Sequence, residues 1–183
     1  MYDSSDGRSL DFIRTLLRTY REKYPNRYIY LFLDNFHLTQ LNSDKSGREK
    51  FQTLSHEMKA MVVEFDVTII STVEYTKMPM NERPNNNNIA ESNSLVYDSN
   101  MIMHGWNELH GLREDAVAYH IDEEGYKRPI VVWGVGKNKI ASFKGDIPCR
   151  SWPEKAFFVE MTDQEYKAII AQNKAIMDNE WFN

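Results

Sequence analysis

This 183-residue sequence has a single cysteine, no long apolar run and no excess of positive charge, and each of these features excludes a class of protein. Cys149 is the only cysteine, so no internal disulfide can form, which fits the reducing cytosol. No apolar run approaches the roughly 18 residues of a membrane-spanning helix, and the N-terminus shows no secretory signal. We therefore expect a cytoplasmic protein with no membrane partner.

The charge balance bears on nucleic-acid binding. Acidic side chains outnumber basic ones, 27 to 22, and the formal net charge is −5. This balance argues against a uniformly basic surface that binds nucleic acid broadly, but it is compatible with a local basic channel formed in an assembly. The five histidines show no ligand spacing with cysteine or acidic residues, so the sequence predicts no histidine-based metal site.

The spacing of apolar residues predicts alternating helices and strands in the first half of the chain. The apolar fraction of 42% is that of a globular protein, and the length fits one domain. Helices are expected at 9–22, with Ser9 as the N-cap, and at 48–64; buried strands are expected at 28–34 and 67–74. Such alternation requires crossover connections, so we expect an α/β fold with a mostly parallel sheet flanked by helices, its strands covered on both faces.

The second half combines a polar loop, short strands and a final helix. Residues 76–88 contain two prolines and four successive asparagines, which predicts a mobile loop. The further elements that we expect are a short helix at 89–97, an inserted hairpin or loop at 107–128, and strands at 100–106, 129–137 and 155–161. The last helix is expected at 162–178, because Thr162 and Glu165 have the spacing of a capping box.

Asp34 directly follows the first apolar strand, in the segment YLFLD. An acidic residue at that point lies at the carboxyl edge of a parallel sheet, where open α/β folds bind ligands. A carboxylate at the end of an apolar strand suits Mg²⁺ held through water beside nucleotide phosphates. The alternative is a turn or cap residue without a ligand, which is common for aspartate at a strand end.

Five segments, taken in order, resemble the successive motifs of the C-terminal, RecA-like ATPase domain of DnaB-like replicative helicases, including those of phages. They are YLFLDNFHLT, the helix that carries Lys59, DVTIISTVEYTK, NERPNNNNIAESNSLVYDSNMIM and VVWGVGKNKIASFKG. The resemblance covers roughly residues 10–161. Within the fourth segment a Glu-Ser pair matches the family's loop pattern, whereas Asn93 replaces its glycine and Asn100 its closing aspartate.

The resemblance implies a nucleotide site that uses ATP and Mg²⁺. Asp34 corresponds to the Walker B carboxylate that holds the metal, and Glu74 to the residue that senses the γ-phosphate, usually glutamine or histidine. An ionised glutamate cannot donate to phosphate, so Glu74 would act through water or metal. Lys137 and Lys139, expected on one side of one strand, correspond to a basic segment that reaches the nucleotide of the neighbouring subunit in a homo-hexamer. The alternatives are a strand-end Glu74 paired with Lys77 and a solvated strand end for the two lysines.

The loop at 78–93 resembles the segment that lines the central channel of hexameric relatives and contacts single-stranded DNA. The resemblance implies DNA contacts for Lys77, Arg83, Asn88 and Ser92. Asparagine amides can donate to phosphate oxygens, which supports a role for the asparagine run. The alternative is a disordered polar loop without a ligand.

The phosphate-binding loop that such a core needs does not occur in these residues. No G-x-x-x-x-G-K-[ST] segment is found, and the only Gly-Lys pair, Gly136-Lys137, precedes Asn138. We therefore expect residues 1–183 to be the later part of a RecA-like core, incomplete and inactive without an upstream fragment that carries the P-loop strand and helix and the family's catalytic glutamate.

Two functions stay open on the sequence. The first is the C-terminal segment of a replicative helicase motor of a phage or bacterium, working in the bacterial cytoplasm. The second is a non-catalytic RecA-like interaction protein derived from such a helicase. Asp34 and the two lysines favour the first, and the substitutions at Glu74, Asn93, Asn100 and Lys139 favour the second.

Overall fold

The two halves of the chain fold differently, because a long helix connects the two parallel strands of the first, whereas the last four strands of the second follow one another through short turns. The computed structural model describes residues 9–43, 45–90 and 93–181. They divide into two compact units: the residues up to Thr76 together with Asn87–Ser99, and Lys77–Asn86 together with the residues from Asn100 onward. No helix within the described residues is both long and apolar enough to cross a membrane.

The first unit alternates helices and strands in the predicted order: α1 (Leu10–Lys23), β1 (Tyr30–Leu33), α2 (Gly47–Phe65), β2 (Thr68–Ser71) and α3 (Asn93–Asp98). The Ser9 hydroxyl accepts a hydrogen bond from the Phe12 amide at 3.1 Å, which confirms the predicted N-cap. Arg21 joins the end of α1 to the end of α2, because its guanidinium donates to the carbonyl oxygens of Phe65 and Asp66.

The core of the first unit lies on one side of a two-stranded parallel sheet. β1 and β2 pair in register from Tyr30 opposite Thr68 to Leu33 opposite Ser71. The buried core residues come from α1, α2 and the segments beside the strands: Leu10, Ile13, Leu17, Phe36, Leu54, Met58, Met61, Phe65 and Val67. The opposite sheet face is exposed, so the prediction of strands covered on both faces is wrong. The reason is that α1 and α2 both pack on the same face, and no other described element of the unit covers the second.

The second unit is built on an antiparallel sheet. Its elements are β3 (Met101–Asn107), α4 (Glu108–Leu112), β4 (Tyr119–Ile121), β5 (Lys127–Asn138), β6 (Asp146–Trp152), β7 (Phe157–Glu160) and α5 (Asp163–Trp181). The strand order is β3-β5-β6-β7, and β4 forms a hairpin with β5. The expectation of a mostly parallel sheet is therefore wrong here, and parallel pairing is confined to β1 and β2. The physical reason is that β4 to β7 follow one another through short turns, whereas a parallel pair needs a crossover of about a dozen residues.

The C-terminal helix begins at the predicted capping box and packs on the second unit. The Glu165 amide donates to the Thr162 hydroxyl at 3.2 Å, and the Glu165 carboxylate accepts from the Thr162 amide at 2.8 Å. Farther along the helix, Asn173 donates to the carbonyl oxygens of Val117 and Tyr119 at 2.7 and 2.9 Å. These bonds hold α5 against the segment that leads into β4.

Candidate functional site

The carboxyl ends of β1 and β2 bring together the acidic residues that the sequence predicts as nucleotide ligands. Because the two strands run parallel and in register, Asp34 and Thr72 follow them at the same edge of the sheet. The Thr72 hydroxyl donates to Asp34 Oδ1 at 2.5 Å, and the peptide bond between Asp34 and Asn35 is cis. The Asn35 side-chain amide donates to Glu74 Oε1 at 3.1 Å. The predicted pair therefore lies at one edge, with each carboxylate oriented by a neutral donor from the other strand end.

His37, which the sequence reasoning set aside, links this edge to the segment after residue 88. Its Nδ1 accepts a hydrogen bond from the Glu74 amide at 3.2 Å, and its Nε2 lies 3.4 Å from the Ala90 carbonyl oxygen. A ring nitrogen that accepts cannot carry a proton, so the hydrogen lies on Nε2 and points at Ala90. Edge contacts with Phe36 and Phe51 hold the ring in this position. In the sequence, the only indication that His37 lies at this edge is its position three residues after Asp34.

The chemistry of the edge suits a hydrated divalent cation better than a metal held by protein ligands alone. Asp34 is exposed, and its Oδ2 accepts no hydrogen bond from the described residues. Among those residues no group of three or more histidine, cysteine, aspartate or glutamate side chains could enclose a metal. Mg²⁺ keeps several waters and takes one or two carboxylates together with substrate phosphates. A single carboxylate with a free oxygen is what such an ion requires of the protein.

The two lysines predicted to act on a neighbouring nucleotide lie in the second unit, at the end of β5. Lys137 is half-buried within the strand, whereas Lys139 is exposed in the bend that follows, where its amide donates to the Asn100 carbonyl oxygen at 2.8 Å. The prediction that both lie on one strand is wrong, because β5 ends at Asn138. The Asn138 side chain ends it by accepting hydrogen bonds from the amides of Ile140 and Ala141.

The loop predicted to contact DNA is anchored within the second unit by two sets of polar contacts. Arg83 forms a two-pronged ion pair with Asp146, at 2.6 and 2.5 Å, and these bonds raise the pKa of the guanidinium. The Asn86 amide donates to the Gly136 carbonyl oxygen at 2.9 Å, and its Oδ1 accepts from His104 Nε2 at 2.8 Å. The loop is thus attached to β5 at the residue before Lys137.

The other residues predicted to contact DNA have different surroundings. Lys77 is exposed, and its charge therefore faces solvent. The main chain of Asn88 is engaged, because its carbonyl oxygen accepts from the Thr76 amide at 2.7 Å. Ser92 lies outside the described residues. The structure leaves the assignment of Lys77, Arg83, Asn88 and Ser92 to nucleic acid as a prediction.

Comparison with known proteins gives a likeness in fold. No protein-family model matches the chain, and no curated protein matches its sequence. The ATPase domain of a phage helicase superposes with a TM-score of 0.71 at 18% identity, over 85% of this chain and 52% of that one. A DnaB-like replicative helicase, solved in a study of its interactions with primase, superposes with a TM-score of 0.70 at 19% identity, over 85% of this chain and 35% of that one.

These superpositions confirm the predicted fold class. The chain has the RecA-like α/β fold of DnaB-like helicase ATPase domains, and the resemblance inferred from the five sequence segments is confirmed at the level of fold. The chain spans about half of the first of these proteins and about a third of the second. The roles of individual residues stay predictions.

Proposed function

We propose that the chain is the later part of a DnaB-type replicative helicase motor, which uses ATP to translocate on single-stranded DNA and unwind the duplex during DNA replication. The observation that carries this proposal is the edge where Asp34 and Glu74 follow two adjacent parallel strands. That edge lies in a fold shared with the ATPase domain of a phage helicase and with a DnaB-like replicative helicase. As in the sequence-based expectation, the chain is inactive by itself.

Two residues at this edge have different roles in binding Mg²⁺-ATP. Asp34 would hold the metal through water: the Thr72 hydroxyl donates to one of its carboxylate oxygens and leaves the other free to accept from a metal-bound water. Glu74, oriented by Asn35, acts on the γ-phosphate through water, because an ionised carboxylate does not donate to phosphate. When bound, the metal neutralises charge that develops on the transferred phosphoryl group.

Lys137 and Lys139 supply positive charge to the nucleotide of the neighbouring subunit in a homo-hexamer. The exposed bend that carries Lys139 supports this role, since a cation that acts between subunits has to lie at a surface. A lysine provides a point charge rather than the two-pronged contact of an arginine, so we expect a weaker version of an arginine finger. The half-buried Lys137 contributes positive charge to the phosphates of the same nucleotide.

The proposed DNA contacts come from the segment between β2 and β3. Lys77 and Arg83 supply its positive charge, and Asn88 and Ser92 supply polar groups for the backbone. Because Asp146 already neutralises much of the Arg83 charge, Lys77 is the stronger attractor of phosphate in this set. Contacts of this kind bind single-stranded DNA without reading its sequence.

The proposal requires a partner, because the phosphate-binding loop is not among these 183 residues. An upstream fragment or domain with the P-loop strand and helix would complete the core, in the cytoplasm of a bacterium or of a phage-infected host. The second candidate, a non-catalytic RecA-like interaction protein, is favoured by the replacement of family residues at Asn93 and Asn100.

The experiment is to purify the tagged chain, with whatever binds it, from the cell in which its gene occurs. We expect the complex to hydrolyse ATP faster when single-stranded DNA is added, and Asp34→Asn to lower the rate by roughly 10²-fold or more, as for the loss of other charge-stabilising groups. Glu123→Gln, which alters an exposed turn between β4 and β5, is the matched control and should leave the rate unchanged. A complex that binds the chain but shows no hydrolysis favours the interaction protein.

A further inference from the structure

An open cavity lies between α2 and α3 of the first unit. Its volume is about 260 Å³, and six polar side chains line it: Arg48, Gln52 and His56 of α2, and Asn93, Ser94 and Tyr97 of α3. The spacing of four residues along α2 places its three side chains in one row on the helix. None of the six belongs to the edge that carries Asp34 and Glu74, so the cavity is a separate candidate site.

The side chains of the cavity are rich in hydrogen-bond donors. The guanidinium of Arg48 is always charged, and the amides and hydroxyls of the other lining residues can donate. No carboxylate occurs among the described residues that line the cavity. Arg48 forms no ion pair with a described carboxylate, in contrast to Arg14 and Arg83. A cation among donors, without a carboxylate in the lining, favours a ligand with negative charge and several acceptor oxygens.

The ring of His56 is oriented by a carboxylate. Asp98 Oδ2 lies 3.0 Å from His56 Nδ1, and the same oxygen accepts a hydrogen bond from the hydroxyl of the buried Ser55 at 2.6 Å. Nδ1 therefore carries the hydrogen that points at Asp98, and Nε2 is the ring nitrogen left for a ligand. A phosphate monoester loses its second proton at about pH 6, so near neutral pH Nε2 can meet it as donor or as acceptor.

The size of the cavity limits how much of a ligand it can enclose. Sites that enclose drug-sized molecules measure about 300–1,000 Å³, and this cavity is smaller. Tyr97 is 81% exposed where it lines the cavity, so its ring presents an aromatic surface to solvent. Nucleobases stack on such surfaces. A compact anionic group inside the cavity, joined to a flat group outside it, fits both features.

We propose that this cavity binds the 5′-phosphate group of a nucleotide, with Arg48 and His56 on the phosphate and Tyr97 against the base. A terminal phosphate monoester carries nearly two negative charges and three acceptor oxygens, which suits several convergent donors better than the single charge of a phosphodiester. Asn93, which replaces a glycine of the family's loop pattern, adds one of these donors. The inference does not rest on the proposed motor, because it uses other residues and another phosphate group.

The test is a titration of the full 183-residue chain without divalent metal, followed through the NMR shifts of the amides of α2 and α3. The probes are deoxythymidine 5′-monophosphate, deoxythymidine, orthophosphate, and oligothymidine with a 5′-phosphate or a 5′-hydroxyl. We expect the monophosphate to bind at least about tenfold more tightly than deoxythymidine or orthophosphate, since each of these lacks one of the two recognised groups.

The oligothymidine pair identifies where the nucleotide comes from. Tighter binding of the 5′-phosphorylated strand than of the mononucleotide assigns the site to a strand end, and weaker or equal binding assigns it to a free nucleotide. The proposal would be overturned if the monophosphate does not bind, if deoxythymidine or orthophosphate binds as tightly, or if the strand with a 5′-hydroxyl binds as tightly as the phosphorylated one.

Substitutions test whether binding occurs in the cavity. Arg48→Gln should weaken binding of the monophosphate by roughly tenfold or more, because a hydrogen bond to a charged group is lost, and Asn93→Gly should weaken it in the same direction. Lys50→Gln is the matched control: it removes the same charge from another side of α2 and should leave binding unchanged. Circular dichroism should show unchanged helix content for both α2 variants, since Arg48 is exposed and Lys50 partly exposed. If Arg48→Gln binds the monophosphate as tightly as Lys50→Gln, the cavity is not the site.

Discussion

Replacing Gly136 by alanine should detach the predicted DNA loop from β5. Gly136 is the extra residue of a bulge, since Ile102 pairs with Lys137 and Met103 with Val135. A methyl group at Gly136 would clash with Asn86 Oδ1 and lie 2.6 Å from His104 Nε2. Moving either the Asn86 side chain or the His104 ring away from the methyl group breaks the hydrogen bond between them. Moving Asn86 also breaks its hydrogen bond to the Gly136 carbonyl oxygen.

The expected cost follows from these contacts. Two lost hydrogen bonds contribute about 1 kcal/mol each, and forcing a methyl group into a filled site costs about 1–3 kcal/mol, so the variant should lose roughly 3–5 kcal/mol. For a protein of this size, each kilocalorie lowers the melting temperature by about 2–4 °C. We therefore expect Gly136→Ala to melt at least about 6 °C lower, and trypsin to cut faster after Lys77 and Arg83.

Gly145→Ala is the matched control, because a methyl group there meets nothing closer than the Phe143 ring at 3.4 Å. It should melt within about 1 °C of the wild type, as surface substitutions usually do. If Gly136→Ala melts at the same temperature as Gly145→Ala and trypsin cuts it no faster, then Asn86 and His104 do not hold the loop on β5.

Three other outcomes test the chemistry and the charge states. The isolated chain should hydrolyse no ATP above background, because it lacks the phosphate cradle; turnover that Asp34→Ala abolishes would reveal another phosphate site. In the hexamer proposed above, mixing Lys139→Ala with Asp34→Ala chains should restore part of the activity, and defects confined to each chain's own pocket would contradict the action of Lys139 on the neighbouring subunit. Burial lowers the pKa of His104 and of His120, so the folded chain holds both neutral while the unfolded chain takes up protons below about pH 6.5. The two histidines contribute fully to stability above that pH, and this contribution is lost as the pH falls. The melting temperature should therefore drop between pH 7.5 and 5.5. If His120→Phe shows the same drop as the wild type, His120 is not one of the groups responsible.

The features that the sequence predicted correctly are those encoded by neighbouring residues. The cap at Ser9 and the capping box of Thr162 and Glu165 depend on side chains that reach amides three residues away. The four helices and strands from α1 to β2 follow from apolar spacing within each segment. Asp34 is predicted as a site residue for the same reason, because its position after an apolar strand is a local signal, and its role stays a prediction.

The features that the sequence missed depend on residues far apart in the chain. β6 was not predicted, because Pro148 and the polar residues around it resemble a loop until the strand pairs with β5 and β7. The exposed face of β1 was predicted as buried, since an apolar run does not reveal whether the chain also supplies a cover for it. His37 was set aside because its partners, Glu74 and Ala90, are separated from it by 37 and 53 residues.

Hydrogen bonds of the predicted DNA segment are formed at or beside two residues that are predicted to act on a nucleotide, Glu74 and Lys137. Within the segment, the Asn86 side-chain amide donates to the carbonyl oxygen of Gly136, the residue before Lys137. At its end, the Ala90 amide donates to the Glu74 carbonyl oxygen at 3.0 Å, and the His37 ring lies between the Glu74 amide and the Ala90 carbonyl oxygen. Both of these hydrogen bonds use main-chain atoms of residue 74, so they can form whichever side chain that residue carries. An ionised glutamate at position 74 cannot donate to a phosphate, but it leaves the main-chain hydrogen bonds with the predicted DNA segment in place.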